Sequence, residues 1–291
     1  MYISSSSMDK LQKILLIALI STSAGAWIAS QAFQNDIMVA MNTPYNLLSI
    51  SLFAAVWTAG MAAMMFPAIS PVILLYSKLV KNSYSNTTLV VGDGKGPYSV
   101  KMVLFVGCYL AVWALTGLAL LFGWSLLLNS AVAATGHSSA IYGLILIAAG
   151  AYQFSPLKSK CLGYCESPMS FFMRRWKSGT AGAATMGTYH GLYCLGCCWP
   201  YFLLMVALGW MHFLWMALFA GIIFGEKIWS RGIWVARTAG IGLAIAGMIT
   251  ALGIVNISGH DAIRIDQGLP DMNMQAQVPA EDQMSDNGID M

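Results

Sequence analysis

Charge is what this sequence has least of. Only 9% of its 291 residues are Asp, Glu, Lys or Arg, where a soluble domain carries about 25%. With 58% hydrophobic residues and a mean hydropathy of +0.67, so little charge excludes an ordinary soluble globule and points to an integral membrane protein. There is no basic stripe and no recognition motif, which argues against nucleic acid as a partner. Paired carboxylates within the apolar runs, a nucleophile beside a base and a nucleotide-binding loop are all missing, so an enzymatic reading has no support. Gly92-Asp-Gly-Lys-Gly96 lacks the full phosphate-loop pattern and reads as part of a flexible loop between Ser77 and Lys101. Histidine is scarce, at four, and the six cysteines do not form a disulfide scaffold.

What is there is concentrated in one apolar stretch, Thr185–Pro200, which holds one histidine and three of the cysteines. Met186, His190, Cys194, Cys197, Tyr201 and Met205 follow spacings of four, four, three, four and four, so a helix puts them on one stripe. Cys198 falls at the edge of that face. Imidazole, thiolate and thioether together favour Cu(I), with zinc as the rival. Ionisable groups at membrane depth are costly, which makes the set a functional candidate against the alternative of simple helix packing.

A second group, Met61, Met64 and Met65, shares a helical face just before Pro67 and Pro71. Each proline removes a hydrogen bond to the residue four back, Ala63 and Pro67 respectively, so a kink is expected there. Alone the methionines are ordinary packing material; beside a Cys/His helix their thioethers can complete a Cu(I) site. Cys161-x3-Cys165 lies in the most basic segment, Ser155 to Thr180, expected to be a loop between spans, and reads either as a cytosolic metal entry point or as two reduced thiols with no joint role. Cys108 is isolated and reads as a packing thiol, and His137 as a solvated loop residue.

The expected fold is all-α, a polytopic transmembrane bundle of about seven spans. These run near 11–32 (a retained helix in preference to a cleaved signal), 47–76, 102–128, 140–154, 180–208, 211–228 and 234–255. Residues 1–10 form a cytoplasmic N-terminus, 11–256 the membrane domain, and 257–291 an acidic tail expected to be disordered, with Met272, Met274, Met284 and Met291. Fourteen of the fifteen bases fall on one side, with Arg264 opposite, which places the N-terminus inside and the tail outside. The fifth span then carries Cys194 roughly 18 Å into a core about 30 Å thick. The short connection around Gly209 makes the fifth and sixth spans antiparallel neighbours, with His212 close to Met205 and with Glu226 and Lys227 closing the sixth helix on the other side. Gly187, Gly191 and Gly196 allow a neighbour to approach closely, and the kinked second helix is the expected one.

Four motifs in order, Ala63-Met-Met-Phe-Pro-Ala-Ile-Ser-Pro71, Tyr152-Gln-Phe-Ser-Pro-Leu-Lys158, Cys161-x3-Cys165-x-Ser-Pro168 and Met186-Gly-x2-His-Gly-Leu-Tyr-Cys-Leu-Gly-Cys-Cys-Trp199, carry a resemblance. The chain resembles a family of predicted metal-binding integral membrane proteins, a domain of unknown function also labelled copper chaperone. The likeness covers about 57–227, including Trp215-Met-Ala217 and Glu226-Lys227. Tyr164 and His212 depart from the pattern, where the family often has a histidine and an asparagine. The resemblance implies metal binding in a prokaryotic cell membrane, with no reaction attached.

Two functions remain open. One is Cu(I) handling, as a carrier across the bilayer or as a chaperone, with a copper donor or a membrane copper enzyme as partner. Its ladder runs from Cys161 and Cys165 through His190, Cys194, Cys197 and Cys198 to Met205 and His212. The other is thiol–disulfide redox chemistry at Cys194-x2-Cys197 or at Cys161 and Cys165. Haem held by His190 with Met61 or Met64 ranks below both.

Overall fold

Lack of charge leaves the backbone to satisfy itself, and in an apolar chain the helix is the structure that does so. The computed structural model describes residues 10–32, 47–86, 97–123, 138–208, 213–229 and 231–254, and among them the regular structure is entirely helical. In chain order the helices are α1 (Lys10–Ala32), α2 (Leu47–Asn86), α3 (Tyr98–Gly123), α4 (Ser138–Tyr152), α5 (Pro156–Glu166), α6 (Pro168–Arg175), α7 (Gly179–Leu208), α8 (Phe213–Ile228) and α9 (Gly232–Ala251).

Four of the described helices are long and apolar enough to cross a membrane: 12–29, 47–82, 98–123 and 232–251. Counting the pair α4 and α5, bent by 62° at the break between them, as one span makes five. Their outward faces are apolar too, with Ile28, Val103, Leu115 and Leu144 about two-thirds exposed, which is compatible with contact to lipid. The buried face is formed mainly by α2, α3, α7 and α8, around Trp57, Met65, Phe105, Trp113, Cys194, Phe202 and Phe219.

The packing follows from small residues and from prolines. α3 lies along α7, where Gly187 sits against the Phe105 carbonyl and Gly191 against Val112. The neighbour at these two glycines is thus α3, not the expected second helix. α4 and α9 run antiparallel on a glycine seam: a Cβ on Gly143 would stand 2.7 Å from the Gly247 oxygen, and one on Gly150 2.7 Å from the Gly240 oxygen. Only hydrogen at these positions lets two backbones come so close.

Each interior proline bares the carbonyl four residues back, and each bared carbonyl accepts a hydroxyl. Pro67 frees Ala63 O, which takes Ser23 Oγ from α1. Pro71 frees Pro67 O, which takes Ser70 Oγ at 2.9 Å. Pro200 in α7 frees Gly196 O, which takes the Tyr152 hydroxyl from the end of α4. In a low-dielectric interior each unpaired carbonyl would be costly, so these bonds satisfy the freed carbonyls, and those from Ser23 and Tyr152 tie helices together.

Two expected loops are helical. The stretch from Ser77 continues α2 to Asn86 because Tyr76 and Val80, one turn apart, stay buried, with Tyr76 stacked on Phe105 at 4.3 Å and on Phe172 at 5.8 Å. The basic segment after Ser155 forms α5 and α6. Ser155 caps α5, accepting the Lys158 amide at 3.1 Å, and Pro156 opens it. Pro168 opens α6 in the same position, and Phe171 and Phe172 bury its inner face while Arg174 and Arg175 stay outside. The Gly92–Gly96 turn, His137, His212 and the 257–291 tail lie outside the described residues.

Candidate metal centre

α7 presents the stripe that its spacing requires. Met186 is 1% exposed, and His190, Cys194, Cys197, Cys198, Tyr201 and Met205 are each 0% exposed. Cys197 and Cys198 turn their thiols back along the helix, donating to the Cys194 carbonyl at 3.0 and 2.7 Å. That is the usual refuge of a thiol with no other acceptor inside a helix. His190 has no such refuge. Both of its ring nitrogens are buried and lack a hydrogen-bond partner among the described residues. Phe171, Tyr109 and Phe105 surround the ring at 5.2, 5.8 and 6.4 Å between centroids. A buried imidazole with both nitrogens unpaired costs free energy in proportion to its desolvation and is a free donor for a metal.

Two sulfur–sulfur contacts join α7 to neighbouring helices. Cys194 Sγ lies 4.0 Å from Met65 Sδ of α2, and Cys197 Sγ lies 4.0 Å from Cys165 Sγ of α5. With metal–sulfur bonds of ~2.3 Å, two sulfurs at that separation subtend about 120° at a shared ion, so the spacing of either pair suits one. Cys161, on the same short helix, places its sulfur 2.8 Å from where a Cβ on Gly196 would be, so a side chain there would strike the thiol. Met61 and Met64 are buried in the same core, 0% and 2% exposed.

Two placements differ from the sequence reading. Cys161 and Cys165 lie on a helix, α5, and not in a loop. They are 8% and 6% exposed, because the 62° bend turns α5 inward against α7. Glu226 and Lys227 do not simply close a helix at the surface either: they are 0% and 5% exposed and face the site from two directions. Glu226 receives Lys158 Nζ at 2.8 and 2.9 Å and the Tyr201 hydroxyl at 2.6 Å, with Lys158 also 4.8 Å over the Tyr201 ring. Lys227 Nζ donates to Cys194 Sγ at 2.8 Å and reaches Met65 Sδ at 3.6 Å, while the Tyr109 hydroxyl contacts Cys194 Sγ at 3.2 Å. Lys227, Tyr109, Lys158 and Glu226 were not selected as site residues from the sequence. Charge inside an otherwise uncharged segment was the signal that could have found the Glu226-Lys227 pair.

Among the described residues no three His, Cys, Asp or Glu side chains stand together as a ready metal cage. The arrangement offers sulfur contacts between helices with an unpaired imidazole nearby. That donor chemistry fits a soft monovalent ion held by few ligands.

No curated protein and no solved structure matches the chain. A family model does, over residues 54–250, which span α2 to α9 and every site residue described above. The chain belongs to that family, PpoB2, described as copper chaperone.

Proposed function

We propose that the protein handles Cu(I) inside the membrane, as a chaperone that holds the ion for a membrane partner. The bound ion is cargo, held first between Cys165 and Cys197 and then at Cys194 with Met65 and His190. Cys198 is one turn beyond Cys194, with Met186, Met61 and Met64 as thioethers of the surrounding core and Cys161 beside the first pair. The observation that carries this reading is the pair of 4.0 Å sulfur contacts joining α7 to α5 and to α2. Soft sulfur ligands select Cu(I), and zinc is the competing ion that a test must exclude. We further propose seven spans, with α7 and α8 crossing as well, the N-terminus inside and the tail outside, on the segregation of the bases.

Copper stoichiometry tests the binding. The purified, reduced protein is expected to retain Cu(I) against a moderate colourless chelator, and Cys194→Ser combined with His190→Ala, which leaves only the Cys165–Cys197 pair, to retain it far less well while keeping its helical circular dichroism. Full retention by that double variant, or uptake of zinc without copper by the parent, overturns the assignment.

The Cys165–Cys197 contact also favours a second reading, thiol–disulfide exchange, in which a partner disulfide accepts the two electrons and two protons of the thiols while a modest approach brings their sulfurs to bonding distance. A disulfide that forms and reduces reversibly with no metal bound in any variant would make that the function.

A further inference from the structure

Lys227 is the residue the copper reading leaves unexplained. It stands in the last turn of α8, 5% exposed, and its ammonium rests against the two sulfurs that α7 and α2 bring together, Cys194 at 2.8 Å and Met65 at 3.6 Å. A cation already occupies the place where those donors point. Its neighbour Glu226 does not hold it back, because that carboxylate is taken up by Lys158 and Tyr201. The two adjacent charges serve separate partners.

We propose that Lys227 is a built-in cation that gives way to Cu(I) on loading and returns to Cys194 on release. This rests on the copper reading. The ammonium and Cu(I) both carry a single positive charge, so exchanging one for the other leaves the balance at the Cys194 sulfur unchanged. That matters where the dielectric is low and an uncompensated charge is costly. The lysine stem has four flexible carbons, and its position in the final turn of α8 lets the head move past the helix end toward polar surroundings. Met65, which touches both Cys194 and Lys227, marks the shared position. Lys227 thus acts as a positioning residue that keeps the pocket open in the empty protein and lowers the hold on the loaded ion, which is what a chaperone needs in order to hand its cargo on.

The test is the rate at which preloaded protein gives up Cu(I) to an excess of a chromogenic Cu(I) chelator. The variants are Lys227→Gln, which keeps reach and polarity without the charge, and Lys227→Leu, which removes both. Loss of the returning cation is expected to slow release by about tenfold to a hundredfold, the scale of one charge-assisted hydrogen bond. Lys160→Met, on the exposed face of α5, is the charge control and is expected to release at the parent rate. Should Lys227→Leu not fold, Lys227→Gln decides alone. Release at the parent rate from the glutamine variant overturns the proposal, and so does faster release or loss of loading in a folded variant, because the lysine would then be supporting the metal site. Failure of the parent to load Cu(I) at all is a different result: it removes the copper reading and this inference with it.

Discussion

Lys158 and Glu226 form an ion pair with both side chains 0% exposed, next to a phenol that donates to the same carboxylate. Burying two charges costs several kcal/mol per ion, and the pair holds only while both members and the extra hydroxyl are present. Removing one is therefore worse than removing both. Lys158→Met is expected to destabilise the protein by about 3–5 kcal/mol by leaving a bare buried carboxylate, and Lys158→Met with Glu226→Leu to recover most of that loss. Thermal unfolding of the two variants in one detergent checks the order. A double variant less stable than the single one would mean that the pair contributes net stability beyond mutual neutralisation. The pair also joins α5, which carries Cys161 and Cys165, to α8, which carries Lys227, so it fixes the two sides of the sulfur cluster relative to each other.

At the scale of elements, the recurring device is a tight helix contact closed by glycine or by a hydroxyl. α4 and α9 approach at Gly143, Gly150, Gly240 and Gly247, with a Cβ allowed at none of them without a shift. Gly150→Val is expected to push α9 off α4 and cost about 1–3 kcal/mol, the scale of overpacking. A melting temperature equal to that of the parent would show that the seam yields without strain. The bend between α4 and α5 matters more for the site, since it turns Cys165 toward Cys197. Tyr152, just before that bend, bonds the carbonyl that Pro200 frees in α7, so the broken span and the cysteine helix are fastened within one turn of the site.

For the whole molecule, the distribution of basic residues predicts which ends face which compartment. Impermeant thiol labelling of single cysteines placed at Asp93 and Gly268, in a background lacking the native cysteines, is expected to find them on opposite faces of the membrane. Both positions on one face would rule out seven spans with the N-terminus inside. A reporter fused at either position gives the same contrast by an independent route.

Much of this was legible along the chain. Period and composition were enough for an all-helical, apolar protein, since 9% charge cannot cover a soluble surface. They also yielded the buried α7 stripe, because spacings of three and four put residues on one face in any helix. The carbonyls bared by Pro67 and Pro71 were equally local and equally readable. What the sequence could not decide was partnership across helices. The Ser155-Pro156 start of α5 was visible as a pair of residues, yet its reading as a loop followed from basic composition, and only packing on α7 buries Cys161 and Cys165. Likewise charge at the end of an apolar segment marks Lys227, but its partner is not local. Its contact with Cys194, 33 residues away in sequence, and with Met65, 162 away, exists only because α8 closes over α2 and α7. Helix periodicity is a property of neighbours in sequence, whereas which sulfur meets which cation depends on how the helices are arranged in space, and tertiary structure alone decides that.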